Sequence, residues 1–444
     1  MSGPKVVRVV TREEMLARCN AQLAGVAQAL SNWTETCARH NCASEAEIAA
    51  ARERHERLRR LIESDSFADF AAQATSEVAF LSEDQRRRMA SVAERVVREK
   101  AAGERRSQAS ASLVSALKSK GIPIVASLER ALSGNGDGVD AAALQAGFAL
   151  LYGQGSSGAG ERASLAKRLK GDDEVESFES WLSRLPAANG DKRVSQIDAG
   201  IFELRTLGDI EGAAKAERLL ATAGKSAGLD LLLDSLLLEM SQLLTAARGR
   251  AAADQDFRVA AAELRAGGVE TGAFEKRAAT GSTAQLIELS QEMRAALRGH
   301  QSKLAAAARR RVVLEGLAAL GYEVSEGLET AWVDQGKVVL RSATRPLYGV
   351  ELQGDLNSER AQVRAVALVD SNVGPDPAQD KDAEAIWCSE VGQLQEHLAQ
   401  FGDRFLIEKA LEVGATPLKR IESAGSADQR VTGSLPQAKE RRLR

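Results

Sequence analysis

Leu314-Glu-Gly-Leu-Ala-Ala-Leu-Gly-Tyr-Glu-Val324 is where the chain changes character. Up to Leu320, apolar residues recur at spacings of three and four among Ala, Arg and Glu, the period of an amphipathic helix. From Tyr322 to Val369 the sequence turns to Val, Leu, Trp and Tyr with a period of two, the signature of strands. The candidate strands are Tyr322–Val324, Glu329–Asp334, Lys337–Arg341, Tyr348–Gln353 and Gln362–Val369. Asp334-Gln-Gly336 reads as a tight hairpin turn. Asp380–Phe401 carries Ile386, Trp387, Val391, Leu394 and Leu398 at helical spacing, and a shorter helix is expected over Asp403–Glu412.

Working back from Gly321, Thr283–Leu320 carries Leu286, Leu289, Met293, Ala296, His300, Leu304 and Ala307 on one stripe, opened by Ser282 as a cap. A matching stripe, Leu229, Leu232, Leu236, Met240, Leu243 and Ala247, precedes it. Two stripes joined by a short connection predict an antiparallel helical hairpin, each arm extending roughly 55 Å at ~1.5 Å per residue. Nearer the N-terminus, Lys5–Val10 reads as extended. Capping boxes at Thr11-Arg-Glu-Glu14, Ser44-Glu-Ala-Glu47 and Ser82-Glu-Asp-Gln85 open three helices. The second carries Ile48, Ala51, His55, Leu58 and Ile62 on one stripe, and the third runs toward Lys120 with Met89, Val92, Val96, Leu113 and Leu117.

The expected fold is therefore mainly α. Long antiparallel coiled-coil-like helical arms and a short-helix middle region carry a small C-terminal α+β module built on an antiparallel sheet. The segments are 1–120, an extended stretch and long helices; 121–225, short helices around Phe178, Trp181, Leu185 and Phe202 with a Gly-rich linker at 153–160; 226–320, the hairpin; 321–413, the module; and 414–444, a disordered tail.

Composition narrows the function. The 444 residues hold 59 Lys+Arg against 62 Asp+Glu, a formal net charge of -3, which argues against a dedicated nucleic-acid coat. Aromatics make up 4% and prolines number eight, which favours slender helix–helix packing and unbroken helices. Cysteines at 19, 37, 42 and 388 are too sparse for a disulfide framework and point to a reducing, cytoplasmic setting. The apolar stretch Leu229–Leu244 is interrupted by Asp230, Asp234 and Glu239, so no membrane span is expected. Abundant Ala and Arg point to a bacterial source.

Gly153-Gln-Gly155-Ser-Ser-Gly158 matches G-x-G-x-x-G, but no βαβ unit follows and no Lys stands where a phosphate-binding loop needs one, so it reads as a linker. Cys37, His40 and Cys42 form a compact cluster of zinc-ligating types, one ligand short of four. His55 and His300 fall on packing stripes. Glu329, Asp334, Lys337 and Glu351 are the residue types a metal-dependent nuclease uses, two carboxylates for Mg²⁺ and a Lys to orient water. Glu351-Leu-Gln353 departs from the nuclease E-x-K element by its Gln. Basic runs at Arg86–Arg88, Arg105–Arg106, Arg309–Arg311 and Lys439–Arg444 are candidate phosphate contacts. Trp332, Tyr348 and Trp387 are candidate partner-binding side chains.

These features point to a non-catalytic scaffold, adaptor or regulatory subunit of a cytoplasmic assembly. It uses no cofactor, binds protein partners and self-associates through its arms. The alternatives are a nucleic-acid-binding accessory protein and a divergent metal nuclease.

Overall fold

The structure, a computed structural model, describes residues 4–133, 140–153, 192–223, 229–354, 358–369 and 376–422. Among these residues it is mainly helical, with a small six-stranded sheet.

In chain order, strand β1 (Lys5–Val10) leads into α1 (Arg12–His40), α2 (Glu45–Glu63) and α3 (Phe67–Ser119). The middle holds α4 (Ala126–Leu132), α5 (Ala141–Gly153), α6 (Lys192–Thr206) and α7 (Ile210–Ala223). Next come α8 (Leu229–Ala266), α9 (Gly272–Ala278) and α10 (Thr283–Ala319). The chain finishes with α11 (Leu328–Gln335), β2 (Lys337–Arg341), β3 (Tyr348–Gln353), β4 (Arg360–Val369), α12 (Pro377–Gln400), β5 (Arg404–Lys409) and β6 (Lys419–Glu422).

Local capping explains most helix starts. Thr11 accepts from the Glu14 amide, and Ser44 and Ser282 form complete capping boxes with Glu47 and Gln285. Asp376 caps α12 ahead of Pro377. The third expected box does not exist. α3 runs unbroken through Ser82, whose hydroxyl donates to the Val78 carbonyl instead.

The expected antiparallel hairpin is also corrected, and free coiled-coil arms are not seen. Arg250 donates to the Gly281 carbonyl at 2.5 Å, Arg294 pairs with Asp256, and Gly268 lies beside His300. Residue numbers climb together on the two helices, so α8 and α10 run parallel. The connection between them contains α9 and travels back along the pair, which a short antiparallel loop would not. α1 runs against both, with Gly25 facing Glu263 and Glu14 meeting Arg309. Ala21, Phe257, Leu264, Leu286 and Met293 fill the shared core. Leu304, expected on the stripe, is exposed.

The sheet order is β2-β3-β4-β1-β5, all antiparallel, with β6 parallel beside the C-terminal half of β4. The N-terminal strand thus lies inside a sheet expected from residues beyond 321 alone. Four local expectations fail here. Glu329–Asp334 is helical, within α11, and Tyr322 makes only an isolated bridge to Ser342. Gly336, φ 67°, ends α11 rather than turning a hairpin. Asp403–Glu412 holds β5, not a helix. Lys419–Glu422 adds a strand past Gly414, while 423–444 lie outside the described residues.

Gly321 is a left-handed helix end, φ 87°, with its amide on the Ala318 carbonyl and the Tyr322 amide on Leu317. It does not separate two cores. Val313, Leu314 and Leu317 of α10 pack with Val7, Leu340, Val350, Trp387 and Leu394 in the core under the sheet.

The bundle and sheet are joined by a buried ion network. Arg309 forks onto Glu14 at 2.9 and 2.6 Å, both side chains 1% exposed. Arg309 also reaches Glu359 at 3.4 Å, and Glu359 accepts from Arg8 at 2.6 Å. Removing Arg309 leaves the buried Glu14 carboxylate with only the half-exposed Arg18 as counterion. Arg309→Ala is therefore expected to destabilise by about 3–5 kcal/mol. Adding Glu14→Ala should recover part of that loss. Urea unfolding of the two variants measures both effects, and a loss under 1 kcal/mol (about the worth of an exposed pair) would contradict them.

Candidate interaction surfaces

The nuclease residues are not brought together. Glu329 and Asp334 sit on α11, and Glu329 pairs with Arg310 at 3.6 Å. Lys337 is exposed on β2. Glu351 is on β3, 1% exposed, and held by two cations: Lys419 at 2.6 Å and Arg364. Burial pushes its carboxyl up, but hydrogen bonds from Lys419 and Arg364 outweigh it and hold Glu351 below the usual carboxylate range. A carboxylate saturated by Lys and Arg is a structural ion pair here.

The Cys/His cluster divides. Cys37 is buried, and burial together with contact to Cys42 pushes its thiol up to about 12. Cys42 faces a hollow lined by Glu47 and Arg88. His40 faces elsewhere, into a polar cleft of about 470 Å³ between α1, α3 and α8, where it meets the edge of Phe202. Burial, then Arg39, lowers the His40 pKa and keeps the ring neutral near pH 7. Among the described residues no three His, Cys, Asp or Glu side chains group to hold a metal. In the same cleft Gln85 donates to Thr36, while its carbonyl oxygen is buried without a partner.

The tryptophans proposed for docking are core residues. Trp332 is 2% exposed and donates to the Gly354 carbonyl at 3.2 Å. Trp387 is 1% exposed and packs edge-on against Tyr322, centroids 6.0 Å apart. Tyr348 is half-buried with its hydroxyl on Asp380, beside a small apolar hollow containing Leu347 and Ile386.

The basic runs are largely neutralised within the chain. Arg86 and Arg87 face Glu83, and Arg88 pairs with Asp84 and Glu47. Arg309 is buried, and Arg310 and Arg311 pair with Glu329 and Glu13. Arg105 and Arg106 donate to carbonyls of their own helix. Lys439–Arg444 lies outside the described residues, as do Phe178, Trp181, Leu185 and most of the glycine-rich loop. Phe148–Tyr152, ahead of that loop, is helical.

A surface absent from the sequence reading lies on the sheet. Strand side chains alternate between faces, and the apolar set Val7, Val9, Leu340, Val350, Leu352 and Phe405 points to the helices. The other face carries Lys337 and Arg341 from β2, Arg360 and Arg364 from β4, Arg8 from β1 and Lys419 from β6. All are exposed except the half-buried Arg364. Glu351 and Glu408 are the strand carboxylates facing them, Glu408 paired with Arg360.

Compared with known proteins, the chain matches no family model, no curated protein and no solved structure.

The depressed Glu351 carboxyl sets a pH dependence. A folded value below the unfolded one, about 4.3, contributes stability that is full above that value and is lost as pH falls through the folded value. Glu351→Gln should lower the urea midpoint at pH 6. The gap should close as the pH falls below about 4. A constant gap from pH 6 to 3 would contradict the assignment.

Proposed function

We propose that the protein is a non-catalytic scaffold in a cytoplasmic assembly, whose helical bundle carries the sheet at a set angle and whose sheet docks a partner. The observation that carries this reading is the pairing of a buried, ion-locked joint with a sheet face that carries exposed cations. Arg309, Glu14 and Glu359 tie α1, α10 and the start of β4 together, while Lys337, Arg341 and Arg360 stand exposed on the far side. A joint of this kind favours fixed geometry over closure around a substrate. The four cysteines, none of them in a disulfide, suit a reducing compartment.

Affinity capture from native cells tests the reading. The wild type, a face variant (Arg341→Glu with Arg360→Glu) and a control (Arg52→Glu with Arg57→Glu on α2) are compared by mass spectrometry and nucleic-acid staining. The expected outcome is a defined set of macromolecules lost with the face variant and kept with the control. A set unchanged by the face variant, or no associated macromolecule at all, counts against it.

A further inference from the structure

We infer that the cation-bearing sheet face is a binding surface for the phosphate backbone of double-stranded nucleic acid. The inference rests on the docking role proposed for that face and names its partner. The first ground is charge. The whole chain is slightly acidic, at net -3, yet this one face gathers Lys337, Arg341, Arg360, Arg364, Arg8 and Lys419 against the strand carboxylates Glu351 and Glu408 and Glu359 at its edge, which holds Arg8. Glu351 is buried between Arg364 and Lys419 and presents no charge to solvent. Arg360 is 63% exposed despite its contact with Glu408. Lys337 has no ion-pair partner among the described residues, and Arg341 donates only to the Pro346 carbonyl.

The second ground is layout. Adjacent strands lie about 4.8 Å apart and residues about 3.4 Å apart along each strand; Lys337 stands level with Gln362 and is therefore roughly 12 Å from Arg360 and Arg364 and roughly 16 Å from Arg8, while Arg341, level with Val366, is roughly 12 Å from Arg364. The spans of roughly 12 Å match the roughly 12 Å width of a duplex major groove, whose two rims are phosphate backbones. An extended acidic peptide follows one line and would meet cations along a single strand. These cations instead spread across the sheet. Four of the six are guanidinium groups, which grip phosphate oxygens in a bidentate fork.

The third ground concerns specificity. Between the cations the face offers Val6, Val339, Gln353, Gln362 and Leu406 and, among the described residues, no aromatic ring. Without a stacking platform, single-stranded bases gain little. A flat face that meets only the groove rims reaches no base edges, so the contact is independent of sequence.

Fluorescence anisotropy with a labelled duplex of about 20 base pairs, the matching single strand, and polyglutamate as competitor tests this directly. Wild-type protein should bind the duplex at about 50 mM salt and prefer it to the single strand. Log K should fall against log salt with a slope of roughly −3.6 if four phosphates are met. Lys337→Glu with Arg341→Glu and Arg360→Glu should weaken binding by about tenfold or more and flatten that slope. The Arg52→Glu/Arg57→Glu control should not. Circular dichroism checks the fold, and the neutral set Lys337→Gln, Arg341→Gln and Arg360→Gln should give a smaller loss in the same direction. Absence of duplex binding at low salt, an equal loss in the control, or displacement by polyglutamate at equal charge would overturn the inference. If duplex binding fails while capture from cells still depends on the face, the scaffold reading stands and only this partner is wrong.

Discussion

The Arg309–Glu14 pair is the constraint on which the arrangement of this molecule turns. Both side chains are out of water, where neither charge is tolerable alone. Glu14 lies one helical turn after Thr11, and Thr11 directly follows β1. Placing Glu14 against α10 therefore places the end of β1, which enters the sheet between β4 and β5. Glu359 adds a third point. It sits in the left-handed region, φ 65°, just before β4, and accepts from Arg8 on β1. Its carbonyl takes the Val9 amide at 2.9 Å. A backbone conformation costing on the order of 1–3 kcal/mol is held where its neighbours over-determine it. The contribution is to registry more than to net stability, since a buried ion pair offsets a large desolvation cost.

What was legible in the sequence was local. The caps at Thr11, Ser44 and Ser282 act within one turn, so they read correctly, whereas α12 starts at Pro377 on an Asp376 cap, ahead of the expected Asp380. The same pattern at Ser82 did not start a helix, because Phe70, Ala74 and Leu81 before it and Val92 after it keep one buried face across it. α11 was misread as a strand from a Glu-Thr-Ala-Trp-Val-Asp run. The decisive features are Gly327 and Gly336, both left-handed, which delimit a short helix with Trp332 inward and Val333 exposed. β5 and β1 become neighbours only through tertiary pairing across about 400 residues of chain, a separation that periodicity cannot see.

The surfaces show the same division more sharply. Three consecutive arginines on a helix point about 100° apart, so a cluster in sequence is dispersed in space. Arg309, Arg310 and Arg311 end buried, half-buried and exposed, each against a different acid. The sheet does the reverse. Alternation sends every second residue to one face, and cations far apart in sequence at Arg8, Lys337, Arg364 and Lys419 are gathered across four strands. No window of sequence contains them together. The candidate carboxylates were scattered by the same geometry, Glu329 and Asp334 to a helix and Glu351 to a strand interior.

The stiffness of the joint follows from close approach rather than from the Gly321 turn alone. A Cβ at Gly316 would stand 2.5 Å from Leu394 Cδ1, so α10 and α12 meet with no slack, well inside ordinary carbon–carbon contact. α12 in turn lies on the sheet through Trp387, Val391 and Leu398. Gly321 closes α10 while Tyr322, next in the chain, is already in the sheet core with its hydroxyl on Glu390 at 2.6 Å. Helix end, turn and sheet therefore share one packed interior, and no residue of the junction is left to act as a hinge.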